Sequence, residues 1–78
     1  MSPTVFRNGS NRFFFFSREE ERMHVHVVGP NGEAKFRIEP VIALADFVGY
    51  SSHEIRKLQE TVQEHEDEIR KAWSEHFG

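Results

Sequence analysis

The sequence contains no cysteine, so it can form neither a disulfide nor a zinc–thiolate site, and it offers no thiol nucleophile. It also lacks a long hydrophobic run, because the longest, Val41–Ala45, is far too short to span a bilayer. The opening residues Met1–Thr4 lack the charged-then-apolar arrangement of a signal peptide. We therefore expect a cytoplasmic protein without membrane association, folded as one domain over residues 1–78.

An excess of positive charge is also missing, since the formal net charge is −3. Residues 1–50 carry six basic and six acidic side chains, whereas residues 51–78 carry four basic and seven acidic ones. A strongly basic surface, the usual electrostatic mark of nucleic-acid binding, is therefore absent at this level. Nucleic-acid binding through a local basic patch is conceivable but not favoured.

Alternating and aromatic segments predict four strands in two hairpins, at about residues 4–7, 12–17, 23–28 and 33–39. The pair Asn8-Gly9 is a strong signal for the first turn, and Gly29–Gly32 forms the second. Four consecutive phenylalanines, Phe13–Phe16, make the second strand apolar on both faces, which predicts a central strand or an interface. The charged connector that follows, residues 17–22, is expected to be solvated.

The hydrophobic pattern of the second hairpin predicts its register. If Val28 lies opposite Glu33, every apolar residue on one face meets an apolar partner, and a one-residue slip would break this match. The other face then pairs polar residues with each other, His26 with Lys35 and His24 with Arg37.

Two helices are predicted after this hairpin. Apolar residues at i, i+3, i+4 and i+7 predict a short helix over 41–48, ended by Gly49. Ser51 and Glu54 form a capping box for a long helix over about 52–76. The expected fold is α+β: a small four-stranded antiparallel sheet of two hairpins, a short helix, then one long C-terminal helix packed on the sheet.

The long helix is expected to be longer than the sheet that it covers. It would measure about 38 Å, whereas a six-residue strand spans about 20 Å. The distal part of its apolar stripe therefore needs another surface: the N-terminal strands, a second copy of the chain or a different protein. The predicted interface residues are Val62, His65, Ile69, Trp73 and Phe77.

The polar face of the second hairpin has three interpretations. Two histidines at i and i+2 could ligate a metal, but the adjacent Lys35 and Arg37 repel cations, so no metal and no cofactor is expected. The same cations could bind a phosphate while His24 and His26 act as acid and base on a ribose phosphodiester. The third interpretation, a solvated sheet face without function, is favoured over both.

Residues 45–58 imitate a helix-turn-helix, with Ala45, the turn glycine Gly49, Ile55 and Leu58 at suitable spacing. A DNA-binding regulator would present basic and polar side chains from the second helix. Against this, that helix continues too far and becomes acidic. An αα-corner packed on a sheet explains the same spacing.

Several short segments together resemble a known family: PTVFR (3–7), RFFFFS (12–17), HVHV (24–27), GEAKF (32–36), Glu39-Pro40, Leu44-Ala45, Gly49, Ala72-Trp73, Glu75 and Phe77. The sequence is similar, over nearly its full length, to the small bacterial domain-of-unknown-function family numbered 4160. It departs from the family pattern at Arg22-Met23, where members usually carry two prolines. It departs again at Ser74 and His76, because members often end Trp-His-Glu-Tyr-Phe.

The resemblance implies a cytoplasmic prokaryotic protein, often encoded beside another small uncharacterised family in pairs that look like toxin–antitoxin modules. It implies no activity and no catalytic residues. From the exposed stripe and the phenylalanine strand we predict a protein–protein interaction subunit of such a pair, acting as a homo-oligomer or with the neighbouring gene's product. The alternatives are a metal-free ribonuclease-type toxin that uses His24, His26, Lys35 and Arg37, and the DNA-binding regulator.

Overall fold

The computed structural model describes residues 4–15 and 22–77 and contains an antiparallel sheet with two helices. The strands are β1 (Thr4–Asn8), β2 (Asn11–Phe14), β3 (His24–Gly29), β4 (Gly32–Arg37) and β5 (Ala43–Val48). The helices are α1 (Ser52–Glu64) and α2 (Glu66–Phe77). The α+β class is confirmed, but the predicted count of four strands is wrong, because the sheet has five in the order β1-β2-β3-β4-β5.

The predicted hairpin register between β3 and β4 is confirmed at every position. Val28 pairs with Glu33, His26 with Lys35 and His24 with Arg37. Two residues of the predicted second strand, Phe16 and Ser17, and most of the predicted connector lie outside the described residues.

The predicted short helix over 41–48 is wrong, because residues 43–48 form strand β5 against β4. Pairing with the free edge of β4 overrides the local helical spacing. The ladder is irregular between Lys35 and Phe36, which pair with Asp46 and Leu44 and leave Ala45 as the extra residue. That extra residue interrupts the two-residue alternation by which a strand is recognised in a sequence.

The predicted single long helix is also wrong, because it is divided at His65 into α1 and α2. His65 has φ −106° and ψ 19°, and its Nδ1–H donates to the Thr61 carbonyl at 2.9 Å. The Ile69 amide still donates to the His65 carbonyl at 2.9 Å, so the apolar stripe keeps its phase across the break. The capping box at the start of α1 is present, with the Glu54 amide donating to Ser51 Oγ at 3.1 Å.

One face of the sheet and both helices enclose the hydrophobic core. Its fully buried large side chains come from three strands, the segments that follow β2 and β4, and both helices: Phe13, Phe15, Val25, Val27, Phe36, Ile38, Val62 and Ile69. The core places the helices on the apolar face of the β3–β4 hairpin. The polar face of that hairpin is therefore directed away from α1. Within the described residues, no helix has the length and apolarity that a bilayer crossing requires.

Candidate functional site

The two histidines of β3 lie next to each other at the start of the strand, on the polar face of the hairpin. Their ring centroids are 5.0 Å apart, with the planes at 78°. The register places Arg37 opposite His24 and Lys35 opposite His26. The structure thus brings the four predicted catalytic candidates onto one patch of β3 and β4.

His24 is held in one orientation by contacts at the end of the sheet. Only 2% of its surface is exposed, and its Nδ1–H donates to the Arg22 carbonyl at 2.8 Å. Because a carbonyl can only accept, this bond assigns the proton to Nδ1. The Trp73 ring lies 5.5 Å from the His24 ring. His24 is therefore a fixed, buried imidazole rather than a mobile surface residue.

His26 is half-buried and has different neighbours. Its ring stacks on the Phe14 ring at 5.6 Å, and the Arg12 guanidinium lies 4.7 Å from the centre of the same Phe14 ring. The Arg12 Nε–H donates to Thr4 Oγ1 at 2.7 Å. These contacts place His26 in an aromatic and cationic environment on β1–β3.

Three of the four predicted catalytic candidates line one pocket of about 180 Å³. It is lined by Arg22, His24, Lys35, Arg37 and Ala45. His26 lines a neighbouring pocket of about 240 Å³ on β3–β5, which it shares with Lys35 and Asp46. Arg22 is the member that the sequence did not reveal, because it belonged to a charged connector without a periodic pattern.

Acidic side chains border the patch on the His26 side, where Glu33 and Asp46 line the pocket of about 240 Å³. The described part of the chain contains no group of three or more His, Asp or Glu side chains placed to hold a metal ion. Asp46 pairs with Lys35 in the ladder, but its Oδ1 accepts from the Phe47 amide at 2.9 Å. The chemistry that the patch offers is cationic donation from lysine and arginine, with histidine beside it.

The predicted interface stripe on the helices is covered by the chain's own N-terminal strands. Val62 and Ile69 are fully buried, and the His65 ring stacks at 4.1 Å on Phe6. Trp73 meets the Phe15 ring edge-on at 5.2 Å, and Phe77, which is 38% exposed, lies 4.2 Å from Trp73. Of the three surfaces considered for this stripe, the N-terminal strands are the one that the structure shows.

The exposed apolar surface lies instead on β5 and the segment before it. Val41, Phe47 and Val48 are 66%, 47% and 65% exposed, and they are three of the four exposed large hydrophobic residues in the described part of the chain. β5 is an edge strand, paired on one side with β4. The sequence pattern does not predict this surface, because its spacing favours a helix at these residues.

The predicted helix-turn-helix segment has only one of its two helices. Residues 45–48 are part of β5, and Gly49, with φ 92°, connects a strand rather than a helix to α1. The segment therefore lacks the first of the two helices with which a helix-turn-helix motif binds DNA.

Another cavity, of about 440 Å³, lies at the other end of β3 from His24. It is bordered by the turns after β1 and β3 and by α1, and it includes Asn11, Asn31 and Tyr50. The Tyr50 hydroxyl donates to Asn11 Oδ1 at 2.8 Å, and Glu54 accepts from Asn31, so these four polar side chains are hydrogen-bonded in two pairs. The larger cavity therefore contains none of the cationic candidates.

The fold defines a two-layer α+β protein with a five-stranded antiparallel meander and a cationic pocket on the sheet. Residues 11–74 match the family model of the domain of unknown function DUF4160, so the chain belongs to that family. No curated protein and no solved structure matches the chain.

Proposed function

We propose that this protein is an interaction subunit of a two-gene, toxin–antitoxin-like module in the cytoplasm of a bacterium, and that its partner docks on β5. The observation that carries the proposal is the exposure of Val41, Phe47 and Val48 at one edge of the sheet. The family resemblance supplies the two-gene context.

An apolar edge strand is a suitable docking element for physical reasons. Its outer backbone groups form a template for another strand, and its side chains supply apolar area to a partner. Natural edges are usually protected by lysine, proline or a bulge. In β5 the protection consists of the irregularity at Ala45 and the single charge of Asp46, while Phe47 and Val48 remain exposed.

The charges beside β5 favour a partner with acidic side chains over a second copy of this chain. Ala45 of β5 forms part of the wall of the cationic pocket, together with Arg22 and Arg37. Pairing of two β5 edges would bring two such clusters close together, and like charges repel. An extended segment with apolar and acidic residues would pair with β5 and oppose these cations with carboxylates.

Co-expression with the product of the neighbouring gene tests this proposal. We expect a stable complex with the wild-type protein and its loss in Val48→Lys, because the lysine places a charge in the apolar contact. Gln63→Lys is the matched control, since it adds the same charge on exposed α1. A protein that remains monomeric and binds no product of the neighbouring gene contradicts the proposal, as does equal loss of binding in the control.

A second candidate function, a metal-free ribonuclease-type toxin, is favoured by the proximity of His24 and His26 beside Lys35 and Arg37. Acid–base cleavage of a ribose phosphodiester needs two proton-transfer groups and cations near the phosphate. The Arg22 carbonyl accepts the Nδ1–H of His24 and so fixes the tautomer of this histidine. Growth arrest on expression that is abolished in His24→Ala plus His26→Ala would support this function. A harmless wild type, or an equally toxic double variant, would refute it.

A further inference from the structure

We propose that the pocket lined by Arg22, His24, Lys35, Arg37 and Ala45 binds a phosphate group. The pocket adjoins the β5 docking surface, because Ala45 of β5 forms part of its wall, but phosphate binding requires neither a partner protein nor cleavage of any substrate. The ligand chemistry is that of a tetrahedral oxyanion, either a phosphate monoester or a phosphodiester of an RNA strand.

The positions of the pocket residues follow from the hairpin register. His24 and Arg37 are directly opposite in the β3–β4 ladder, and Lys35 lies two residues from Arg37 on the same face of β4. Arg22 lies two residues before His24, and its carbonyl accepts the His24 Nδ1–H. One backbone arrangement therefore directs two guanidinium groups, one ammonium group and one imidazole to a common volume.

The electrostatics of this cluster favour an anion. Three cationic side chains and a histidine line the pocket, and none of its described lining residues is acidic. Arg22 and Arg37 have no ion-pair partner within residues 4–15 and 22–77. The nearby acid Glu39 is engaged by Arg70 at 2.9 Å. Arg22 and Arg37, which line the same small pocket, repel each other, and a bound anion reverses this cost.

The residue types and the volume specify phosphate chemistry. A guanidinium presents paired N–H donors that match two oxygens of a phosphate, and lysine adds a compact charge. The volume of about 180 Å³ is well below the range of drug-sized ligand pockets. The pocket therefore suits a small anion or a single phosphate of a larger molecule.

The only tryptophan of the chain provides a direct readout of binding. The Trp73 ring lies 5.5 Å from the His24 ring, so an anion beside His24 alters the surroundings of the fluorophore. Titration of the full chain with inorganic phosphate, against chloride at matched ionic strength, is followed by tryptophan fluorescence and by calorimetry. We expect a saturable signal with phosphate and none with chloride.

Variants of the exposed arginines assign the binding to the pocket. Arg22→Gln and Arg37→Gln each remove a charged donor while keeping a long polar side chain, and each is expected to weaken binding about tenfold. Arg56→Gln, on exposed α1 and outside the pocket, is the matched control and leaves the affinity unchanged. Circular dichroism verifies that each variant is folded.

Two further probes identify the source of the phosphate. Tighter binding of a nucleoside monophosphate than of an RNA oligonucleotide without terminal phosphates indicates a small-molecule ligand, and the reverse indicates an RNA backbone. Either result supports the site. Absence of saturable binding for all three phosphate probes overturns it, as does equal weakening in Arg56→Gln. Loss of partner binding in Val48→Lys leaves phosphate binding intact, so the two proposals fail independently.

Discussion

The imidazole of His65 stacks on the phenyl ring of Phe6, with centroids 4.1 Å apart and planes at 12°. Phe6 in turn stacks at 4.4 Å on Phe13 of the neighbouring strand. The break between α1 and α2 therefore lies against the first hairpin, and β1 contacts the helices at the residue that interrupts them.

A double-mutant cycle on this pair measures its contribution to folding. Phe6→Leu and His65→Leu preserve apolar volume but remove the stacked rings, so we expect a coupling free energy of about 1 kcal/mol in chemical denaturation. Phe6→Leu combined with His53→Leu is the control, because His53 is exposed at the start of α1. A coupling no larger than that of the control pair would show that the stacking adds nothing.

The capping box predicts unequal effects of two neighbouring serine substitutions. Ser51 Oγ accepts the Glu54 amide, whereas Ser52 is exposed in the first turn. Ser51→Ala should lower the free energy of unfolding by about 1 kcal/mol. Ser52→Ala should leave it nearly unchanged. Equal effects in urea denaturation would contradict the assignment of Ser51 as the N-cap.

Gly49 and Gly9 differ in what an added methyl group would meet. Both have positive φ, 92° and 61°, but a Cβ on Gly49 would overlap the Asn31 carbonyl oxygen, and one on Gly9 meets no atom within 4 Å. Gly9→Ala should cost about 1 kcal/mol from the backbone alone. Gly49→Ala should cost about 3 kcal/mol, because steric overlap is added. Thermal denaturation that ranks them in the opposite order would contradict the β5–α1 connection.

The raised pKa of the Tyr50 hydroxyl predicts that the folded protein loses stability in alkaline solution. Burial, with added repulsion from Glu54 and Glu33, raises the pKa of the Tyr50 hydroxyl above its ordinary value of 10.0. A group with a raised pKa in the folded state contributes stability that is present below the ordinary pKa. That stability is lost as the pH rises through the folded-state pKa.

The matched variant for this pH dependence is Tyr50→Phe, at the position of the only tyrosine in the chain. It should lose about 1 kcal/mol at neutral pH, with the hydrogen bond to Asn11. It should also lose the tyrosine part of the fall in stability above pH 10. Denaturation curves that decline identically in both proteins above that pH would show that the hydroxyl ionises as freely in the folded state as in the unfolded chain.

The hairpin register could be predicted from the sequence but the fifth strand could not, and the reason is physical. In β3 and β4, a one-residue slip would expose Val25 and Phe36 together, so one pairing is strongly preferred. In β5, the irregularity at Ala45 disrupts the alternation, and the spacing of Val41, Leu44 and Val48 imitates a helix. Only the free edge of β4, a feature of the folded sheet, selects the strand.

In the candidate site, too, some residues could be placed from the sequence and others could not. The register predicted that His24 faces Arg37 and that His26 faces Lys35, and the structure agrees. Arg22 could not be placed from the sequence, because its position depends on how the chain enters β3. For the helix stripe, the sequence left three covering surfaces open, the N-terminal strands among them. The choice could not be made because Phe6 and His65 are distant in sequence and meet only when the sheet is complete.

The most direct test of the proposed function is amide hydrogen exchange of this protein alone and in complex with the product of the neighbouring gene. Docking at β5 predicts that the partner slows exchange in residues 43–48 and leaves exchange on the solvent-facing side of α1 unchanged. Slower exchange confined to α1 and α2, with β5 unaffected, would contradict docking at the sheet edge.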